Sequence, residues 1–220
     1  MNLNTAIANV ATKIKDIASP YKLEDSEIEA RIIEAIKDYS KRRPMKKWQT
    51  IAIESGTALY DLEDDFIHEI DVPTADTYLS ADGEVRITPD GLVPVGNYPS
   101  EYSIEGMQIR FLPTPTSASS LPIKYAGRHM SSAEAGESGE DADKEYPTIP
   151  VIDEDLIELK TSALCLETLA VKMANDNFKY SVAMTTEVDK TKQAADMRAM
   201  AHLWNSQYED RILRPSGIRS

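Results

Sequence analysis

A chain of 220 residues that is 41% hydrophobic and 28% charged, with nine glycines and twelve prolines, can bury a core and lies outside collagen-like, prion-like and mucin-like compositions. No stretch approaches the roughly 18 consecutive apolar residues of a spanning helix, and Met1-Asn2-Leu3-Asn4 has neither the basic nor the apolar region of a secretory signal, so neither membrane insertion nor export is expected. The net charge of −13 is unevenly laid out. Residues 1–47 hold ten Lys/Arg against seven Asp/Glu, residues 211–220 hold three Arg and no acid, and the span between carries −19, a layout that suits assembly better than general nucleic-acid binding.

Leu3, Ile7, Val10, Ile14 and Ile17 recur at spacings of three and four, which predicts a helix stopped by Ser19-Pro20. A second helix is expected from Ser26, where Ser26 and Glu29 have capping-box spacing, with Ile28, Ile32, Ile36 and Tyr39 as its apolar stripe. Lys41, Arg42 and Arg43 fall in its last turn, where positive charge complements the helix dipole, and Pro44 ends it.

From Trp48 the period changes to two. Thr50 to Glu54 alternate, and further strands are predicted at Ile67–Val72, Glu84–Thr88, Gly106–Leu112 and Pro122–Tyr125, separated by Pro/Gly/Asp turns. The run 131–148 holds six acids and one apolar residue of any size, Tyr146, so a mobile loop is expected there. A third helix should begin with Asp153 as N-cap and bury Leu156, Leu159, Ala163, Leu166, Ala170 and Met173 until Asn175-Asp176-Asn177 interrupts it. A fourth runs from about Tyr180 to Ile212, with Met184, Val188, Ala195, Trp204 and Tyr208 available for packing. At about 30 residues it would be about 45 Å long, so part of it is expected to meet another subunit.

The reading is α+β: a bundle of about four helices with an inserted small antiparallel β module and a long C-terminal helix. Its parts are a helical hairpin (1–47), a β-rich insertion (48–130), the acidic loop (131–148), the long helices (149–212) and a basic tail (213–220).

No phosphate-cradling glycine loop, His-Glu-x-x-His or Gly-x-Ser-x-Gly occurs. His68, His129 and His202 are dispersed and read as surface or hydrogen-bonded core residues, and Cys165 as a core thiol. Asp61 to Asp65 has carboxylates for a hard cation but lacks the alternate ligands and distal Glu of a calcium loop, so a solvated helix start is the favoured reading and a carboxylate-dependent hydrolase the rival one. No catalytic, metal or cofactor residue is assigned. Arg42, Arg43, Lys46 and Lys47, followed by Trp48, read as helix-end charge or as a contact with another subunit or an acidic partner. A DNA-binding regulator is the weaker alternative, given the surrounding negative charge.

Three segments together resemble the head-to-tail adaptor (connector) proteins of tailed bacteriophages. These are Trp48 to Ile53 followed by Tyr60 to Phe66; Tyr102 to Pro115 with Leu121 to Tyr125; and Ile149-Pro150 leading into the helix from Asp153. Glu63 stands where many of these adaptors carry proline. The resemblance implies a non-enzymatic virion protein of the neck, without cofactor, in a homo-oligomeric ring of about twelve copies. Portal protein would bind on one side and tail or neck proteins on the other, with genomic DNA passing through without sequence-specific binding. A head stopper or tail terminator is the neighbouring alternative. The portal contact is expected at Arg211, Ile212, Leu213, Arg214 and Arg219, where apolar side chains between arginines could fill a cleft while guanidinium groups pair with carboxylates.

Overall fold

The computed structural model describes residues 1–18, 22–72, 87–88, 91–92, 99–136, 139, 144–179 and 184–214. The expected α+β class is borne out. The chain divides into a helical unit, Met1–Arg43 with His129–Ser220, and a β unit, Pro44–Arg128.

In the helical unit, α1 (Leu3–Ala18), α2 (Asp25–Arg42), α3 (Glu154–Lys179) and α4 (Met184–Ile212) pack around one core. The apolar stripes supply it: Leu3, Val10 and Ile14 from α1, Ile28, Ile32 and Ile36 from α2, and Leu156, Leu166, Leu169 and Met173 from α3 are all buried. Four helix details differ from the sequence reading. Helix α2 starts one residue before Ser26, and its N-terminus is closed by Glu27 Oε2 accepting from Glu24 N–H at 3.0 Å, the same device two residues earlier than Ser26 with Glu29. Asp153 is no N-cap, because a 3₁₀ turn, Val151–Asp153, precedes α3 and turns its side chain inward. Helix α3 runs through Asn175 to Lys179, since an Asn or Asp costs only about 0.7 kcal/mol of helix propensity or less, which a long packed helix tolerates. On α4 the buried stripe is Ala194, Met197, Ala201 and Tyr208, one residue out of phase with Ala195, which is exposed; the side chains of Met184 and Val188 lie outside the described residues.

The described parts of 131–148 are tied down at both ends. Ser131, Ser132 and Tyr146 are buried, Ser132 N–H donates to Glu145 O at 2.8 Å, and Tyr146 N–H donates to Met1 O at 2.9 Å. Residues 137–138 and 140–143 of the expected mobile loop lie outside the described residues.

The β unit is a two-layer sandwich. One antiparallel sheet has the order β1 (Met45–Ile53), β8 (Ser119–Gly127), β3 (Phe66–Asp71); the other has β2 (Leu59–Asp61), β7 (Gln108–Leu112), β6 (Glu101–Glu105). Alternation sends Ile51, Ile53, Leu121 and Ile123 from the first sheet and Ile109 and Phe111 from the second into a shared core. The strand predicted over Gly106–Leu112 is β7, Gln108–Leu112, and forms the second half of a hairpin with β6. Gly106, at φ +67°, sits in its two-residue loop, where a left-handed backbone is required. Of Glu84–Thr88 only Ile87–Thr88 is described, as β4, paired with β5 (Gly91–Leu92).

Asp61 to Asp65 starts no helix. Asp61 ends β2, and Asp65 is 2% exposed. Asp65 Oδ1 accepts from Tyr125 Oη–H at 2.9 Å, and its Oδ2 is held by charge 2.6 Å from Lys47 Nζ, without a well-aligned hydrogen bond. Burial, then the bond to Asp65, pushes the Tyr125 phenol up. A Cβ added at Gly127 would lie 2.7 Å from Asp65 Oδ2, so glycine is what lets the carboxylate in.

Candidate functional site

Of the basic residues expected at two remote places in the sequence, Arg42 and Arg43 meet residues 209–214 at one end of the helical unit. Arg43 follows the last residue of α2, where its N–H donates to Tyr39 O at 2.8 Å. Its guanidinium reaches across to the end of α4: Nε donates to Ile212 O and Nη2 to Arg211 O, each at 3.0 Å, and Nη2 also donates to Arg214 O. The last carbonyls of a helix have no partner within it and carry partial negative charge, so a fork of N–H donors both satisfies and neutralises them. The same guanidinium donates through Nη1 to both oxygens of Asp153, at 2.9 and 3.1 Å.

Asp153, 4% exposed, also accepts from Tyr39 Oη–H at 2.7 Å. Burial, and next this bond, pushes the Tyr39 phenol well up. Below it, His129 is buried, with Nε2 3.0 Å from Arg43 O and Nδ1 2.9 Å from Thr148 Oγ1. A carbonyl oxygen can only accept, so Nε2 carries a hydrogen and donates it to Arg43 O. His129 is therefore the hydrogen-bonded core histidine that the sequence suggests, while His68 and His202 are exposed.

A second cluster braces the same helix end. Arg42 donates in bidentate geometry to Glu209, at 2.5 and 3.0 Å, and pairs with Asp38 at 3.3 Å. Tyr208 Oη–H donates to Asp38 at 2.8 Å, while Arg42 and Lys160 stand 5.9 and 5.2 Å from the Tyr208 ring centroid. Arg211 pairs with Asp155 at 2.5 Å. Arg42 and Arg43 are thus engaged within the chain, and so is Lys47, through Asp65; Lys46 is exposed.

Of the expected portal residues, Ile212 is 4% exposed and belongs to the core, so it cannot fill a partner's cleft without unfolding the helix end. Leu213 is 78% exposed and Arg214 is exposed; Arg219 lies outside the described residues. Through Asp153 and Asp155 the 3₁₀ turn is brought against this helix end, and it presents Val151 at 82% and Ile152 at 54% exposure. Their part is not legible from sequence: Val151 and Ile152 stand before the expected N-cap, and the contacts that turn Asp153 inward span more than 100 residues of chain. What the arrangement offers is a fixed helix end displaying apolar side chains beside arginines.

The model of the SU10 adaptor protein family matches residues 1–215. No curated protein matches the chain. Among the described residues no helix is long and apolar enough to cross a membrane.

Proposed function

The chain belongs to the SU10 adaptor protein family, and on that premise we propose that it is a structural subunit of the phage neck, forming a ring of about twelve copies between portal and tail. The observation that carries the reading is the family match over 215 residues, which takes in both units and the end of α4. The pinned helix end gives it a physical basis. Arg43 and Asp153 hold residues 211–214 in place, so that Leu213, Val151 and Ile152 face outward beside Arg211 and Arg214. A pre-ordered apolar patch with guanidinium groups at its rim suits a portal cleft lined with carboxylates, because little entropy is lost on docking.

The excess of acid between residues 48 and 210 suits a channel through which DNA slides, since carboxylates repel phosphate. The protein is not an enzyme in this reading. Asp65, the acid of the 61–65 cluster that is buried, is occupied by Lys47 and Tyr125 rather than open to a cation. Four helices also fit an adaptor better than the more strand-rich stoppers and terminators. A phage with an amber codon in this reading frame should accumulate DNA-filled heads without tails, and antibody against the chain should label the neck of complete particles. Normal tailed particles lacking the chain would overturn the proposal.

A further inference from the structure

We propose that the β units of neighbouring copies stack face to face, the Trp48 face of one sandwich seating against the outer face of the β2-β7-β6 sheet of the next; this rests on the ring reading above. Alternation along β1 sends Lys47, Gln49, Ile51 and Ile53 inward and leaves Lys46, Trp48, Thr50 and Ala52 exposed on the other side of the sheet. Register puts Lys124 opposite Trp48, and its Nζ stands 5.5 Å from the indole ring centroid. Trp48 itself is 41% exposed, flanked by two lysines. Among the described strand residues one acid belongs to this side, Asp71, opposite Lys124 on β3. An exposed tryptophan between cations is the composition of an interface anchor rather than of a solvated sheet face.

The opposite face of the same sandwich has the reverse character. Tyr60, Tyr102, Ile104, Ile109 and Phe111 point into the core, so the intervening residues face out. Among the described residues of these strands they include Asp61, Glu101 and Glu105 against one cation, Arg110, which is already paired with Glu105 at 3.0 Å. Leu59 and Leu112 are exposed among them, at 36% and 42%. Gln49, on the inner side of β1, donates to Asp61 O at 3.1 Å, which fixes this acidic strand on the side of the sheet away from Trp48.

One rigid sandwich thus carries a cationic-aromatic face and an acidic-apolar face back to back. Such a pair of unlike, complementary surfaces is what a heterologous interface needs, and a heterologous interface with a closing rotation makes a ring. The occupant of the Trp48 face is therefore a second copy of this chain. The leucines would cover the indole, and the carboxylates would meet Lys46 and Lys124.

Sedimentation velocity of the full chain over a concentration series tests this. The wild type should self-associate, K46E/K124E should weaken association by at least about tenfold with an unchanged melting curve, and mixing that variant with D61K/E101K should restore it, since each then offers a matching face to the other. A wild-type chain that stays monomeric at every concentration, or a K46E/K124E variant that associates as the wild type does, overturns the stacking. Neither result touches the neck assignment, which the amber phage decides. Restoration failing while each variant stays folded also counts against these two faces as partners.

Discussion

Replacing Arg43 by alanine should be among the most damaging single changes in the helical unit, although the residue lies at a helix end. The substitution takes the guanidinium from the Asp153 carboxylate, whose side chain is 6% exposed, and leaves it the hydrogen bond from the Tyr39 hydroxyl. Breaking a buried ion pair from one side costs about 3–5 kcal/mol. Arg43 is itself 16% exposed, so water can partly replace it, and the carbonyls of the exposed Arg211 and Arg214 can rehydrate. The lower end, about 3 kcal/mol, is the expected loss, or roughly 6–12 °C in melting temperature for a chain of this size. Arg43→Lys keeps a charge near Asp153 but cannot span three carbonyls, so it should recover only part of the loss. Urea unfolding followed by far-UV circular dichroism and by Trp204 fluorescence, read together with hydrogen exchange at residues 211–214, measures all of this. A loss under about 1 kcal/mol, or unchanged protection at the end of α4, would refute the idea that one arginine holds that end.

Three further outcomes follow from buried groups. Gly127→Ala should lower the stability of the β unit by about 1–3 kcal/mol, because the new methyl meets Asp65 Oδ2 at 2.7 Å, while helical dichroism is retained; a neutral effect would show that the carboxylate is free to move. Burial pushes the Cys165 thiol up to about 12, so at pH 8 it should react with a disulfide reagent only as fast as the chain unfolds, and rapid labelling of native protein would contradict that burial. Burial raises the phenols of Tyr39, Tyr125 and Tyr208 above their unfolded value near 10. The stability these groups contribute is complete below that value and is lost as pH rises above it. Ultraviolet titration should therefore show them ionising only together with alkaline unfolding, and simple titration of all ten tyrosines near pH 10 in folded protein would refute this.

The helical unit was legible where one periodic signal extends over many residues. The described residues of the α1, α2 and α3 stripes lie in the observed core or pack against it, because a long amphipathic face can be buried in only one way. The weakly apolar α4 carried little signal, and its phase was set by Tyr208 and Met197 packing on the other helices rather than by local pattern. Asp61 to Asp65 looks like a helix start because four acids around Leu62 follow a short apolar run. Only the pairing of Asp65 with Lys47 and Tyr125, distant in sequence, turns it inward. The two basic groups were found as compositions, but that Arg42 and Arg43 close onto residues 209–214 is a contact across more than 160 residues. No local pattern encodes it. The consequence for the expected docking tail is specific: a deletion from Arg211 would remove Ile212 from the core and strip Arg43 of its acceptors, so loss of binding in such a truncation would not isolate a docking role.

The central claim is that the C-terminal end of α4 docks the chain to the portal. Its most direct test is co-sedimentation of the full chain with portal rings, comparing wild type with the double variant Leu213→Asp, Arg214→Glu. Both side chains are exposed, so the melting curve should not change, and reversing the charge beside an apolar anchor should abolish co-sedimentation. Undiminished binding of a folded double variant would contradict the claim.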